Sequence, residues 1–172
     1  DATWERLASA DGAACVRDLR ARFAQAAVDP ASGELSGRAE DIARIFTLPS
    51  VRDMVAALEA EDAAWAKDTA AVLRKRSPLM LHVSLRLIRE ARGMPLADEL
   101  RLERDLVRHA FHLRPGTASE TMEGIRALVV DKDQAPRWSP ERIEDVTSDM
   151  VDAFFASPWP AYAHPLRFLG EA

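Results

Sequence analysis

The sequence predicts an all-α fold, on three observations. Apolar residues return every three or four positions along most of the chain, and no convincing period-two alternation appears. Ser, Thr or Asp stands just ahead of several of these stretches, where helix caps belong. Pro residues fall between the stretches and not inside them.

Taken in order, Asp11 caps a helix whose Cys15, Leu19 and Phe23 share one stripe. "AVDPASGELSG" ends it with Pro30 and two glycines, and Ser36 caps a segment carrying Ile42, Ile45 and Phe46. Ser50 with Asp53 resembles a capping box, Asp replacing the usual Glu or Gln, ahead of Val51, Met54, Val55 and Leu58. Trp65, Thr69, Val72 and Leu73 continue the pattern, in the same helix or after a kink. Arg74-Lys75-Arg76 place positive charge at a helix C-terminus, where the macrodipole favours it. Ser77 and Pro78 then suit N-cap and N1, and Gly93 the stop, of a helix apolar enough to be central. Leu96 to Ala110 form the next helix, and Thr117 with Glu120 predict a capping box for the one holding Met122, Ile125, Leu128 and Val129. Ser139-Pro140 predicts a short helix, Thr147 another with Val151, Phe154 and Phe155, and the Pro-rich tail from Ser157 is irregular.

At 172 residues the expectation is a single helical domain, 48% hydrophobic and 30% charged. No apolar run is long enough to span a bilayer, so no membrane partner is expected. A net charge of −5 argues against nucleic acid. Cys15 stands alone, which rules out an intrachain disulfide and fits a reducing cytoplasm. Only Lys67, Lys75 and Lys132 are lysines among 23 basic residues, a compositional habit of GC-rich bacterial genomes.

Asp131-x-Asp133 opens like a calcium loop, but Pro136 occupies the turn-glycine position and Arg142 the place of the bidentate Glu. Asp105, His109 and His112 share a helix face without a complete metal motif, and His82 and His164 have no partner in sequence. Cys15 on its apolar stripe behaves as a small hydrophobe. There is no G-x-S-x-G elbow or Gly-rich phosphate loop. Read alone, the residues supply no catalytic set and no metal site.

Four stretches carry a resemblance: "SPLMLHVSLRLI" from Ser77, "LADELRLERDL" from Leu96, "EGIRALVVDKDQAPRWSP" from Glu123 and "VDAFF" from Val151. The third is the most specific, with E-G-x-R-A, four residues, then K-D-x-x-P-x-W. On these the chain resembles the C-terminal half of 3-hydroxyisobutyryl-CoA hydrolase-like proteins, of the enoyl-CoA hydratase/isomerase (crotonase) superfamily. Residues 36–156 form the family-like helical region, 1–35 match weakly, and 157–172 are tail. The resemblance implies an irregular helical array, the C-terminal part of a crotonase-type enzyme without its β-β-α spiral core. That core would hold the two carbonyl-polarising amides and the acid/base carboxylates. The expectation is therefore a chain with no catalytic residues of its own, inactive alone. It would act in a homo-oligomeric parent on an acyl-CoA substrate.

The same resemblance gives two ligand candidates. Lys132 aligns with a lysine that meets a phosphate or the adenine of CoA, although Asp131 and Asp133 could pair with it instead. Leu128 stands where the superfamily helix carries a stacking phenylalanine. Arg126 is read as structural, reaching a carboxylate such as Glu103, and Trp138 as a lid on the helices. The favoured function is hydrolysis of a short 3-hydroxyacyl-CoA in valine breakdown. A hydratase or isomerase of the superfamily and a free-standing helical interaction module are the alternatives.

Overall fold

The computed structural model describes residues 12–25, 33 and 35–170. Every regular element among the described residues is helical. The contacts divide the chain into two compact units, Asp1–Arg44 and Ile45–Ala172.

In the first unit α1 spans Gly12–Gln25. Cys15 is half-buried, as its stripe predicts, but Phe23 is exposed. The cap expected at Asp11 lies outside the described residues. Ser36 does not cap an α-helix directly; it opens a 3-10 turn, Ser36–Arg38, and α2 (Ala39–Phe46) begins only after it.

The second unit takes in the end of α2 from Ile45 and continues with α3 (Val51–Ala60), where Ser50 Oγ accepts the Asp53 backbone N–H at 3.1 Å. The Ser50 hydroxyl in turn donates to Asp53 Oδ2 at 2.7 Å. A longer Glu would reach back to the cap's backbone N–H; Asp, one methylene shorter, closes on the hydroxyl. Val51, Met54, Val55 and Leu58 are all buried, as the spacing predicts. Glu61 is extended and breaks the chain, so Trp65 to Leu73 belong to a separate helix, α4 (Ala64–Arg74).

Ser77 and Pro78 start α5 (Pro78–Ala91) as N-cap and first residue. This helix is central. Leu79 and Val83 pack with Leu106, Val151 and Phe154. Leu85 turns to a second cluster built on Ile45, Met54, Leu58, Ala66 and Ala70. Leu81 meets a third, formed by Val51, Val55 and Ile143. Each fully buried aliphatic side chain contributes about 2 kcal/mol of transfer free energy, so one helix serving three clusters is the backbone of this unit's stability.

The long helix α6 (Leu96–His112) precedes a corrected cap. Gly116–Ala118 is a 3-10 turn, and Ser119, not Thr117, caps α7 (Glu120–Ile125). Glu120 becomes the first helical residue and is buried, bonded to Arg114 at 2.9 Å and to the Ser77 hydroxyl. Its carboxylate finds better partners there than a backbone N–H could offer. The helix expected at Ser139-Pro140 is absent; the Ser139 carbonyl accepts from Arg114 at 2.5 Å, and only a 3-10 turn, Ile143–Asp145, follows. Thr147 caps α8 (Ser148–Phe155) as predicted.

The tail from Ser157 is irregular apart from the 3-10 turn Ala161–Ala163, yet it is anchored. Arg101 of α6 donates to the carbonyls of Leu166 at 3.0 Å, Arg167 at 3.2 Å and Leu169. His164, expected to be alone, is buried against Asp105 at 3.0 Å.

Candidate nucleotide-binding groove

The E-G-x-R-A stretch begins as α7 and loosens into a π-helical turn, Arg126–Val130. The Asp131 N–H reaches the Arg126 carbonyl at 2.8 Å, and the Gln134 N–H reaches the Ala127 carbonyl at 3.1 Å. Two left-handed residues, Lys132 and Gln134, both at φ 56, turn the chain back across the helix end. A π-turn of this kind is uncommon overall and is frequent at functional positions.

One guanidinium organises this exit. Arg126 grips Glu123 through Nε to Oε2 at 2.9 Å and Nη2 to Oε1 at 2.7 Å. Its Nη1 donates to Asp131 at 2.6 Å and Asp133 at 2.7 Å, and Nη2 also meets the Ala135 carbonyl at 3.1 Å. Arg126 hydrogen bonds, then the Arg137 backbone N–H, hold the Glu123 carboxyl down to about 2. Hydrogen bonding by Arg126 lowers Asp133 as well. Arg126 is thus structural, but its partners are these three carboxylates and not Glu103. Distance decides: the loop folds two aspartates back within reach.

That choice releases Lys132. The aspartates flanking it are taken by Arg126, and Lys132 is exposed with no ion pair among the described residues. The surface ion pair weighed for it is not formed.

Trp138 closes the loop. Its indole N–H donates to the Lys75 carbonyl at 3.1 Å, and its ring lies 3.5 Å from where a Cβ on Gly124 would stand. A Cβ at position 124 would meet the indole at ordinary van der Waals distance, so the ring lies directly on the helix at this point. The ring packs over α7 as expected and also walls a groove of about 610 Å³. Lys75, Arg76, Leu128 and Gln134 line the same groove. Leu128 is 56% exposed there, while Lys132 stands outside the lining. Arg74, also on the rim, is held by Glu59 at 2.8 Å and Glu144 at 2.6 Å. The hydrogen bonds that Arg74 donates to those two carboxylates raise its pKa further and leave Lys75 and Arg76 as the open cations.

Along the sequence, the three cations at positions 74–76 read only as a dipole complement. Their part in a groove depends on the K-D-x-x-P-x-W loop returning to them, and nothing local signals that. An aromatic wall is present although Leu128 is no phenylalanine: Trp138 supplies it.

The histidine face forms no cluster. His109 Nε2 bonds the Ala156 carbonyl at 2.7 Å, and Asp105 is turned to His164. Among the described residues, no group of three or more His, Cys, Asp or Glu side chains could hold a metal ion. No described helix is long and apolar enough to cross a membrane.

The family model for enoyl-CoA hydratase/isomerase matches residues 1–155. The chain belongs to this enoyl-CoA hydratase/isomerase family. The match begins at residue 1 and so includes the stretch that the sequence motifs leave weakly matched. Among curated relatives, the small ribosomal subunit protein mS47 of Arabidopsis thaliana is 36% identical over 149 residues, 84% of this chain and 36% of that protein. The probable 3-hydroxyisobutyryl-CoA hydrolase 3 of the same plant is 36% identical over 122 residues, 69% of this chain and 32% of the hydrolase. The crystal structure of an enoyl-CoA hydratase from Rhodobacter sphaeroides aligns with a TM-score of 0.67 at 28% identity, covering 84% of this chain and 43% of that one. This family member therefore spans about a third of the length of these curated relatives. Its all-α array corresponds to the helical part of a crotonase-type structure.

Proposed function

We propose that these helices are the C-terminal part of an acyl-CoA thioester hydrolase of the 3-hydroxyisobutyryl-CoA hydrolase type, holding the nucleotide end of the substrate. The observation that carries this reading is the groove between Trp138, Leu128 and the Lys75-Arg76 pair. An indole face suits adenine, and two open cations suit phosphate. Lys132, freed by Arg126, stands in the adjoining loop with its ammonium available to a further phosphate oxygen.

Hydrolysis adds water to the thioester carbonyl, releases CoA as the thiol and yields the hydroxy acid. In this reading the residues of this chain hold and orient the CoA moiety, and the carbonyl chemistry belongs to a strand-bearing spiral core in the same homo-oligomeric, cytoplasmic enzyme. The short 3-hydroxyacyl substrate fits valine breakdown. The relatives named as 3-hydroxyisobutyryl-CoA hydrolases favour hydrolysis over the hydratase or isomerase chemistry of the wider superfamily.

Calorimetric titration of CoA into this chain tests the groove. Binding that weakens about tenfold in Arg76→Gln and Trp138→Ala, and less in Lys132→Ala, is expected from the loss of one charge-assisted contact or one stacking face. Equal affinity in all variants would overturn it. The reaction is tested on the full gene product, whose turnover of 3-hydroxyisobutyryl-CoA is expected to exceed that of enoyl-CoA substrates.

A further inference from the structure

A second cationic site lies where the tail meets α6, away from the residues that line the groove. Arg104 and Arg108, one turn apart on α6, hold their guanidinium carbons 5.0 and 5.2 Å from the ring centroid of Trp159. Beside that ring is a cavity of about 400 Å³, lined among others by Arg101, Asp105, His164 and Arg167.

The charges here do not balance. Arg101 is committed to Asp98 at 2.7 Å and to the tail carbonyls. Asp105 is tied to His164 Nε2, while His164 Nδ1 accepts the Leu166 N–H at 3.0 Å. That second bond fixes the imidazole proton on Nε2, so the His164 ring is neutral in this geometry. Arg104, Arg108 and Arg167 have no carboxylate partner among the described residues. Among the described residues, three cations against the single carboxylate of Asp105 leave a surplus of two positive charges, in a chain whose net charge is −5.

The cation–π contact explains why these cations remain available. A guanidinium resting on an aromatic face is held through its π surface, which consumes none of its N–H donors. The planar fork at its edge stays open to bidentate acceptors. Like charges one turn apart also repel on a helix, a cost that a bound anion would remove.

We propose that Arg104 and Arg108, held over the ring of Trp159, with Arg167 lining the cavity beside it, form a binding site for a phosphate-type dianion. A tetrahedral dianion presents separate oxygen edges to two forks, and its two charges match the surplus. A monocarboxylate matches neither.

The test uses this chain in solution. Sodium phosphate is titrated against sodium chloride at equal ionic strength while the indole Nε1–H signal of Trp159 and the Nε–H signals of both arginines are followed by NMR. A saturable shift with phosphate alone is expected. The doubly substituted R104K/R108K chain keeps the charge and loses the forks, and its affinity is expected to fall about tenfold. R104Q/R108Q should not bind, and thermal melts establish that both variants fold; should the Gln pair unfold, the Lys pair decides. Methyl phosphate binding as tightly as inorganic phosphate would assign the site to a phosphate monoester, and its exclusion to free phosphate. Shifts reproduced by chloride, or an unchanged affinity in the Lys pair, would overturn the proposal.

Discussion

Arg126 and Glu123 meet in a two-pronged contact one turn apart, and the carboxylate so held is 3% exposed. The same guanidinium ties down both aspartates of the following loop, so the shape of the groove depends on this one pair. Glu123→Gln and Arg126→Ala are expected to lower the melting temperature by several degrees at pH 7. The two changes combined should cost less than their sum, because the residues act as a unit. The folded carboxyl of Glu123 sits at about 2, below its ordinary 4.5. Its contribution is therefore complete above the unfolded value and is lost as pH falls from there through 2. Urea midpoints between pH 7 and pH 3 should fall steeply in the parent and more gently in Glu123→Gln.

Ser50 and Ser77 cap comparable helices but differ in what else they hold. Ser50→Ala should cost about 1 kcal/mol, the usual worth of a cap. Ser77 also donates to buried Glu120, so Ser77→Ala should cost about 2 kcal/mol, cap and charged hydrogen bond together. Chemical denaturation of both variants gives the ranking, and equal losses would contradict the Ser77–Glu120 link.

His82 has a buried Nε2 without a hydrogen-bond partner. Burial pushes its pKa below the ordinary 6.5, against an opposing backbone hydrogen bond at Ile143. A folded value below the unfolded one means that the unfolded chain binds the proton first, so stability declines as pH drops below about 6.5. His82→Leu should flatten the stability profile between pH 7 and pH 5, measured by thermal melts across that range.

Lys132 at φ 56 carries a left-handed backbone that glycine adopts without strain. Lys132→Gly should therefore stabilise the chain by up to about 1 kcal/mol, whereas Lys132→Ala should leave stability nearly unchanged. Both should weaken CoA binding equally, which separates the proposed contact from the fold. A Gly variant less stable than the Ala variant would contradict the backbone argument.

His164 ties the tail to α6 through Asp105. His164→Ala leaves that buried carboxylate short of a donor and should cost about 1.5–3 kcal/mol. Trypsin should then cut after Arg167 sooner than in the parent, with the helices ahead of Ser157 still resistant.

Much of this protein was legible along the chain itself. Ser50, Ser77 and Thr147 cap where local spacing puts them, and Val51, Met54, Val55 and Leu58 are buried on the face their period predicts. Such features depend on residues within about one helical turn, which a linear pattern samples completely. Even the misplaced cap at Thr117 missed by two positions, since Ser119 offers an equivalent hydroxyl and Glu120 was wanted elsewhere.

The partners of the charged groups were decided only by the tertiary structure. Arg126 could have taken any of several carboxylates; the left-handed turn at Lys132 and Gln134 brings Asp131 and Asp133 to it and leaves the lysine free. Trp138 reaches a carbonyl 63 residues away, and His164 a carboxylate 59 residues away. Sequence spacing carries no record of such distances. A chain with 28 acidic and 23 basic residues offers too many possible pairs for composition to choose among them. Hydrophobic period determined the helices, and the packing of those helices determined which charges are paired and which remain open to a ligand.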